Sequence, residues 1–587
     1  MSVNPVETIK DASQQLRGTI VPTLANPEAS HFSEEDYQLL KFHGTYQQDD
    51  RDLRNARKKE GLDKAWSFMV RTKQPGGRIT AEQYLALDDL AAEIANGTLR
   101  ITNRQGIQFH GILKVSLRDA MRRIHDSGLT TWGACGDVVR NTMGPSAPLH
   151  TPAHRAAQDL AQALSDTFLA RSTAYTEIWL NGERLRLDAE GNKAPEVEEP
   201  IYGKHYLPRK FKIGIAIPPR NDTDVYSQDI GFIADLGPGG EVTGYHVIAG
   251  GGFGMSHGQT KTYPVLAKPL FRIAAADAVK AAVAIVTTQR DHGDRTDRKH
   301  ARLKYTIEDM GLEAFKAEVL RRLDAPVQPF APARLETVGD MLGWHEQGDG
   351  KWFLGLFVEV GRIKDEAGRN YRAAFRELAE QFGFPIRFTP NANILFHDIE
   401  PGQRAAVDAL LARHGVPLDT GLTEARRTSH SCVALPTCGL ALSESERAFP
   451  GVMDQVDAVL RELGLENEPL LVRMTGCPNG CVRPYQSDIG IVGRSGTKYA
   501  LFVGGHVLGH RLNFLLKDLV PVDEIVPTLV PLLERFRRER RPAESFGDFC
   551  HRLGPERLQG WLPGADDGPH VLSRPHVAAP AAMPLAG

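Results

Sequence analysis

Cysteine is scarce in this sequence, which has only six among 587 residues. So few cysteines exclude a disulfide framework and favour a reducing compartment in which cysteine is kept for chemistry. The first residues, MSVNPVETIKDASQQ, contain no apolar segment of the secretory kind. The most apolar helical stretch starts at Ala274, is short and is interrupted by Asp277 and Lys280. We therefore expect no membrane span and a soluble, cytoplasmic protein.

A charge excess of either sign is also missing, because 70 Lys and Arg oppose 73 Asp and Glu, for a net charge of −3. Binders of nucleic acid or anionic membranes usually carry a strong basic excess, so both classes are disfavoured and any anion site must be a local cluster. The sequence contains no P-loop. AGGGFGM at residues 249–255 fails the dinucleotide template because Met255 replaces its third glycine. Electrons for redox chemistry would then come from a separate protein.

The pattern along the chain predicts several units of mixed structure. The length of the chain suggests four domain-sized units, at ~150 residues per domain. Residues 1–60 are polar, with a charge-dense run at 49–61, and predict an arm or a solvated helix. Apolar positions at helical spacing predict a helix over 84–97, and the segment after it is β-rich. Without a regular βαβ repeat, this alternation favours an α+β fold over a doubly wound sheet.

Distant segments of the chain resemble each other in the same order. RITNRQGIQFHGI at residues 100–112 matches RFTPNANILFHDI at 387–399 at Arg, Thr, Ile, Phe, His and Ile, with a constant offset of 287 positions. Further matches link YSQDIGFIA at 226–234 with YQSDIGIVG at 485–493, and YHVIAGGG at 245–252 with YALFVGGH at 499–506. Blocks repeated in register predict a pseudo-symmetric molecule whose site lies where two similar halves meet. Chance similarity of β-rich segments is the alternative.

Four of the six cysteines form one constellation, C-x5-C followed after 38 residues by C-x3-C: Cys432, Cys438, Cys477 and Cys481. Four thiolates suit a cubane iron–sulfur cluster, with one ligand for each iron, and the Pro and Gly residues between them suit loops that wrap it. Zinc is the rival, although structural zinc sites favour tighter spacings than x5. Four buried thiols without a metal are the third reading. Cys135 and Cys550 are isolated and are expected to be ordinary buried thiols.

Basic residues concentrate in three strand-like segments, residues 70–73, 100–104 and 207–212. Residues two and four apart on a strand share a face, so Arg100 and Arg104 are predicted to point the same way, as are Lys210 and Lys212. A solvated sheet face is the plainer reading of any one segment, whereas several that converge would suit a polycarboxylate cofactor and a small oxyanion. The run at 287–306 adds more basic residues, partly offset by aspartates, and predicts ion pairing more than nucleic-acid binding because no aromatics are interleaved among them.

These motifs together resemble one known family. The cysteine pattern in the form TGCPNGC, with TNRQGIQFHGI, LPRKFK and TTQRD-x-G-x-RTDRK, is similar to the siroheme-containing sulfite and nitrite reductases, from about Trp66 to about Leu553. The match is closest to the assimilatory, NADPH-dependent branch. The resemblance implies a duplicated α+β architecture around a central cofactor. Its expected boundaries are 1–65 for an N-terminal arm, 66–145 and 346–420 for ferredoxin-like half-domains, 146–345 and 421–562 for larger α/β siroheme-binding units, and 563–587 for a flexible tail.

The resemblance also implies roles for individual residues. The four constellation cysteines would hold a [4Fe–4S] cluster, and Cys481 would also be the axial ligand of the siroheme iron. The residues that would bind sulfite on the open face are Arg71, Arg140, Lys210 and Lys212. The residues that would contact the siroheme are Arg100, Arg104, His110, Asn479 and Arg302, of which Arg302 replaces a lysine common in the family. His110 and His397 occupy equivalent repeat positions, which by itself favours a shared structural role.

The implied activity is the six-electron reduction of sulfite to sulfide in sulfate assimilation and cysteine biosynthesis. An NADPH-oxidising flavoprotein carrying FAD and FMN, an alpha component, would supply the electrons. A ferredoxin-dependent sulfite or nitrite reductase is the nearest alternative, and a non-catalytic iron–sulfur electron carrier is an alternative of another class. A zinc-bearing nucleic-acid module is the most distant.

Overall fold

The computed structural model describes residues 3–171, 178–180, 183–185, 198–418 and 421–562, so the predicted tail at 563–587 lies outside the described residues. It contains mixed helices and sheets, and the α+β prediction is confirmed. No helix in these ranges is long and apolar enough to cross a membrane.

Two small antiparallel sheets mirror each other in strand order. The first has the order β1, β2, β5, β4, β15: Thr45–Asp49, Trp66–Arg71, Ile107–Ile112, Leu99–Ile101 and Arg362–Ile363. The second has the order β13, β14, β19, β18, β3: Gly343–Glu346, Trp352–Leu356, Ile394–Ile399, Ile386–Phe388 and Arg78–Ile79. The repeated blocks at 100–112 and 387–399 form the matching hairpins β4–β5 and β18–β19. Because β3 pairs with β18 and β15 with β4, each half contributes an edge strand to the other's sheet.

Two larger sheets repeat a second pattern. One has the order β12, β11, β10, β9, β8: Val327–Gln328, Lys268–Ala274, Val242–Ala249, Ile230–Leu236 and Ile213–Ala216. The other has the order β20, β21, β22, β23, β24: His430–Ser431, Val472–Thr475, Ile489–Ser495, Lys498–Val503 and Phe514–Pro521. The repeated blocks place β9 with β22 and β10 with β23, so the predicted duplication is confirmed. Short hairpins complete the strands: β6–β7 at Ile178–Leu180 and Glu183–Leu185, and β16–β17 at Asp365–Glu366 and Arg369–Asn370.

Helices cover these sheets. The helix predicted over 84–97 is α5, Ala81–Ile94, which begins at a Thr80 capping box and is followed by Gly97 at a φ of +79°. The remaining helices are α1 Pro5–Ala12, α2 Ile20–Ala25, α3 Glu34–Leu40, α4 Arg54–Lys59, α6 Leu117–Asp126, α7 Pro152–Thr167, α8 Ala278–His292, α9 Leu303–Met310, α10 Leu312–Arg322, α11 Tyr371–Phe382, α12 Arg404–Arg413, α13 Glu424–Thr428, α14 Phe449–Glu462, α15 Ile525–Glu539, α16 Phe546–Leu553 and α17 Pro555–Gln559.

The N-terminal segment differs from the solvated arm that its polarity predicts. Leu16, Leu39 and Phe42 are buried in the main core, and β1 pairs along its whole length with β2. Only α4, within the charge-dense run, buries no residue and behaves as a solvated helix. The segment packs in this way because a few well-spaced apolar residues are enough to cover the edge of a sheet, even when the average composition of the segment is polar.

Candidate functional site

Parallel strands bring the two cysteine pairs together. Strand β20 pairs in parallel with β21, so the segments that follow the two strands leave the sheet at the same edge. Cys432 directly follows β20, and its N–H donates to Met474 O at 3.1 Å. The loop after β21 carries Cys477 and Cys481, and its Gly476 N–H donates to Cys432 Sγ at 3.3 Å. Two motifs far apart in sequence therefore form one thiol group.

Glycine is required twice in the TGCPNGC loop. A Cβ at Gly476 would lie 2.5 Å from both Ala434 Cβ and Ser443 O, and Gly480 adopts a φ of +61°. Between them Asn479 Nδ2 approaches Cys477 Sγ at 3.5 Å. The tight loop thus directs polar N–H groups toward sulfur, as cluster-binding loops do.

The four thiols interact electrostatically with one another. Burial raises the pKa of Cys477 to about 12 and also raises the pKa of Cys432 and Cys438, and in each case the Cys481 thiol is the next cause. Across the described ranges no three potential ligands surround a single metal position. Four neighbouring thiols fit a cubane cluster, which takes one cysteine for each iron.

A group of cations lines the space next to Cys481. Arg71 ends β2, and the extended segment at 207–212 leads into β8. Val139 and Phe211 form an isolated bridge, and Arg140 N–H donates to Phe211 O at 2.9 Å, so Arg140 lies beside this segment. Phe211 is buried, whereas its neighbours Lys210 and Lys212 are half-buried. The two lysines therefore share a face, as predicted.

The positive charge of this group is largely uncompensated. Burial lowers the pKa of Lys210 to about 7, with the charges of Arg209 and Arg302 as further causes. Burial also lowers the pKa of Lys212 far below its usual range, and the charge of Lys210 is the next cause. The buried Nε of Arg71 finds no hydrogen-bond partner among the described residues. Buried cations that lack partners of opposite charge are unfavourable by themselves, so this group fits an anionic ligand.

Cys481 joins the thiol group to the cation group. It is the exposed member of the four cysteines, and its thiol raises the pKa of Lys210 and of Arg71 against the opposing effect of burial. Asn103 Nδ2 donates to its carbonyl oxygen and fixes the loop at this point. Cys481 therefore interacts with both groups of the site. The residues present fit both a cubane cluster and an anionic macrocycle that share this ligand.

Arg100 and His110 lie in a network behind the thiol loops. Arg100 donates to Glu446 Oε2 at 2.9 Å and to Ser431 O at 2.8 Å, next to Cys432. Arg362 donates to the same Glu446 at 2.7 Å and lies 3.4 Å from His110 Nδ1. Burial lowers the pKa of His110 well below its usual range, with the charge of Arg362 as the next cause. The structure gives both Arg100 and His110 partners within the protein, and their contact with siroheme stays a prediction.

Arg104 and Arg302 also have partners within the protein. The chain turns after Ile101, so Arg104 does not continue the face of Arg100 as the strand prediction supposed. It donates to Gln228 Oε1 at 2.8 Å and to a backbone carbonyl. Arg302 donates to both oxygens of the buried Asp229 at 2.9 Å. The ion pairing predicted for the run at 287–306 is therefore confirmed, and the contacts of these two arginines with the macrocycle stay predictions.

Two residues of the site were missed by the sequence argument. Cys135, expected to be an ordinary buried thiol, accepts a hydrogen bond from Arg71 Nη1 at 3.1 Å. Burial lowers the pKa of Arg209 to about 10, with the charge of Arg298 as the next cause and the charge of Asp137 opposing both, and the charge of Arg209 in turn acts on Lys210. Both adjoin identified residues in sequence, in ACGDVVR and LPRKFK, which was the available signal. Cys550 is buried in the C-terminal core, as predicted.

The N-terminal helix supports the lysine segment. Lys10 is buried, pairs with Glu7 at 2.5 Å and donates to Leu207 O at 3.0 Å. Leu207 N–H donates to Asp137 O at 3.0 Å, and the Asp137 carboxylate pairs with Arg298 at 2.7 Å. Residues distant in sequence therefore fix the segment from which Lys210 and Lys212 project.

Two family models match most of the chain. The model described as the nitrite and sulphite reductase 4Fe-4S domain matches residues 161–327 and 425–566. The model described as the nitrite/sulfite reductase ferredoxin-like half domain matches 63–127 and 345–414. Each model matches twice, as the internal repeat requires.

Curated relatives match over nearly the whole chain. Proteins named sulfite reductase (NADPH) hemoprotein beta-component are 47% identical in Methylobacterium nodulans, over 93% of this chain and 90% of the relative, and 45% identical in Xylella fastidiosa, over 94% and 96%. Among solved structures, the NirA protein of Mycobacterium tuberculosis has a TM-score of 0.76 at 22% identity and covers 95% of this chain and 98% of its own. That likeness supports the duplicated fold.

Proposed function

This chain belongs to the family of nitrite and sulfite reductases, and we propose that it catalyses the six-electron reduction of sulfite to hydrogen sulfide for sulfate assimilation. The reaction would take place at a siroheme coupled to a [4Fe–4S] cluster. The observation that carries the proposal is that β20 and β21 bring the two cysteine pairs together, next to a cation group in which the buried Nε of Arg71 has no hydrogen-bond partner among the described residues. The names of relatives 45–47% identical to the chain support sulfite as the substrate.

The cations would bind the substrate. Arg71 and Arg140 offer planar N–H groups that suit sulfite oxygens, and Lys210 and Lys212 add charge on the same side. Because these groups are fixed by the fold before substrate arrives, they stabilise negative charge without reorganisation. Their strongest contribution is expected where charge develops on oxygens that leave as water.

Lys210 is the best-placed proton donor among them. Burial lowers its pKa to about 7, with the charges of Arg209 and Arg302 as further causes. A donor whose pKa lies near the working pH can both hold and release a proton, which is the condition for general acid catalysis. Arginine cannot act in this way because its pKa stays too high.

The four cysteines would hold the cluster, Cys481 would also bind the siroheme iron, and Asn479, Arg104 and the neighbouring basic residues would contact the macrocycle. When bound, the two groups supply electron transfer and a metal that binds the sulfur of the substrate. The chain contributes N–H groups near the sulfurs, the shared thiolate and the cation group. The relatives' names support an NADPH-oxidising flavoprotein alpha component carrying FAD and FMN as the electron donor.

The purified chain is expected to be coloured and to contain about five irons, four in the cluster and one in siroheme. It should release sulfide from sulfite when reduced methyl viologen supplies electrons. Iron analysis, visible spectra and a sulfide assay test this directly. A colourless product from an iron-replete host that makes siroheme would overturn the proposal. Four irons without sulfide release would indicate an electron carrier, and comparing donors with sulfite and nitrite separates the ferredoxin-dependent alternatives.

Sulfite turnover is expected to fall as the pH rises above about 7. The Lys210 ammonium is protonated below its pKa and loses its charge and its proton above it, so kcat/KM should decline on the alkaline side. A bound anion favours the charged form, so the decline of kcat should lie at a higher pH than that of kcat/KM. Lys210→Arg keeps the charge at every pH used and should flatten the alkaline limb while lowering the maximum. Because sulfite itself titrates, the comparison of the two profiles carries the test, and identical profiles would exclude this role.

A further inference from the structure

The N-terminal segment crosses the loop that carries Cys438. Residues 50–53, here called the strap, follow β1, and the Arg51 N–H donates to Pro436 O at 3.2 Å. The Arg51 side chain reaches further into the same loop, where Nη1 donates to Cys438 O at 3.2 Å and to Ala441 O at 2.5 Å. One residue therefore bonds to three carbonyls of a loop almost 400 positions away, including that of a cysteine.

A second contact holds the strap in place. Asp52 pairs with Arg447 at 2.7 Å, on the chain that leaves the Cys438 loop. The Cys438 loop lies partly at the surface, because Leu440 is 67% exposed, and it folds back on itself where the Ala441 N–H donates to Cys438 O at 3.2 Å. The strap is therefore bound to the Cys438 loop through Arg51 and to the segment that follows it through Asp52.

We propose that Arg51 is a positioning residue for the cluster, which holds the Cys438 loop closed and raises the cluster's reduction potential. The inference rests on the proposed function, since it requires a cluster at the four cysteines. Hydrogen bonds from a charged donor are about twice as strong as neutral ones, so the two guanidinium contacts, together with the backbone contact to Pro436, fix the loop firmly. A positive charge near a site that gains an electron stabilises the reduced form. The N-terminal segment is therefore part of the electron-transfer machinery.

Arg51→Gln in the full chain tests both parts, with Lys58→Gln as the matched control. Lys58 lies on α4, is exposed, carries the same charge and has no recorded contact with the Cys438 loop within the described structure. Arg51→Gln should lower the cluster midpoint potential in a redox titration followed by electron paramagnetic resonance. It should also lose cluster iron in air about tenfold faster, as expected when a partner outside the ligand set is removed. Lys58→Gln should match the wild type in both.

Arg51→Lys separates charge from position. It should keep most of the potential but lose iron faster than the wild type, because one ammonium lacks the rigid fork that spans two carbonyls. Arg51→Gln and Lys58→Gln behaving alike would overturn the inference. If Arg51→Gln does not fold, Arg51→Lys decides, and wild-type iron retention in that variant would also overturn it. A wild-type chain without four cluster irons would instead refute the proposed function.

Discussion

Cys481→Ser is expected to abolish sulfide formation, with a loss well beyond the 100-fold that removal of a partner outside the ligand set causes. Cys481 interacts with each of the other three cysteines and with Lys210 and Arg71 of the cation group. A serine hydroxyl is a poor ligand for iron in this setting, so both bound groups should be affected at once. Iron content, the visible spectrum and sulfide release measured on the same preparation test the expectation.

Cys550→Ala is the matched control for this substitution. Cys550 is a free, fully buried thiol in the C-terminal core and belongs to neither group of the site. Its replacement should cost about 1 kcal/mol of folding free energy or less and leave iron content and activity in place. A Cys481→Ser protein that kept its iron and turned over sulfite within tenfold of the wild type would show that the shared ligand lies elsewhere.

The sequence predicts the repeated parts of the fold well. It does not predict the edge strand that each half contributes to the sheet of the other half. Residues 100–112 and 387–399 predict matching hairpins because the same side chains recur at the same spacing. Nothing in Arg78–Ile79 or Arg362–Ile363 indicates that these two-residue strands pair with the opposite half. Pairing partners of short edge strands depend on how large units pack together, and local pattern does not encode that.

The site shows the same division. Cysteine spacing predicts the thiol group, because ligands must be concentrated in a chain with few cysteines. The partners of Arg100 and Arg302 could not be predicted, since Glu446 lies 346 positions from Arg100 and Asp229 lies 73 positions from Arg302. Basic residues in one motif thus divide into those with carboxylate partners and those without. Only the second kind, such as Lys212, leaves charge available to an anion.

Lys212→Ala is therefore expected to lower kcat for sulfite about 10²- to 10³-fold, the usual loss when one donor to developing negative charge is removed. The Lys212 backbone N–H donates to Asp229 at 2.9 Å, so the main chain stays anchored without the side chain. Siroheme content should then change little. Turnover with reduced methyl viologen, together with the siroheme absorbance per chain, measures both quantities.

Two comparisons make this result specific to the position of the charge. Lys299→Ala removes the same charge from an exposed site in the basic run at 287–306 and should retain wild-type turnover. Lys212→Arg restores the charge with a different shape, so it should recover part of the binding of sulfite, seen in KM, and less of kcat, because a guanidinium does not release protons at neutral pH. If siroheme and activity fall together in Lys212→Ala, Lys212 holds the macrocycle. If only activity falls, the lysine acts on the substrate, as its place beside Lys210 and the lack of an ion pair to its ammonium within the described structure indicate.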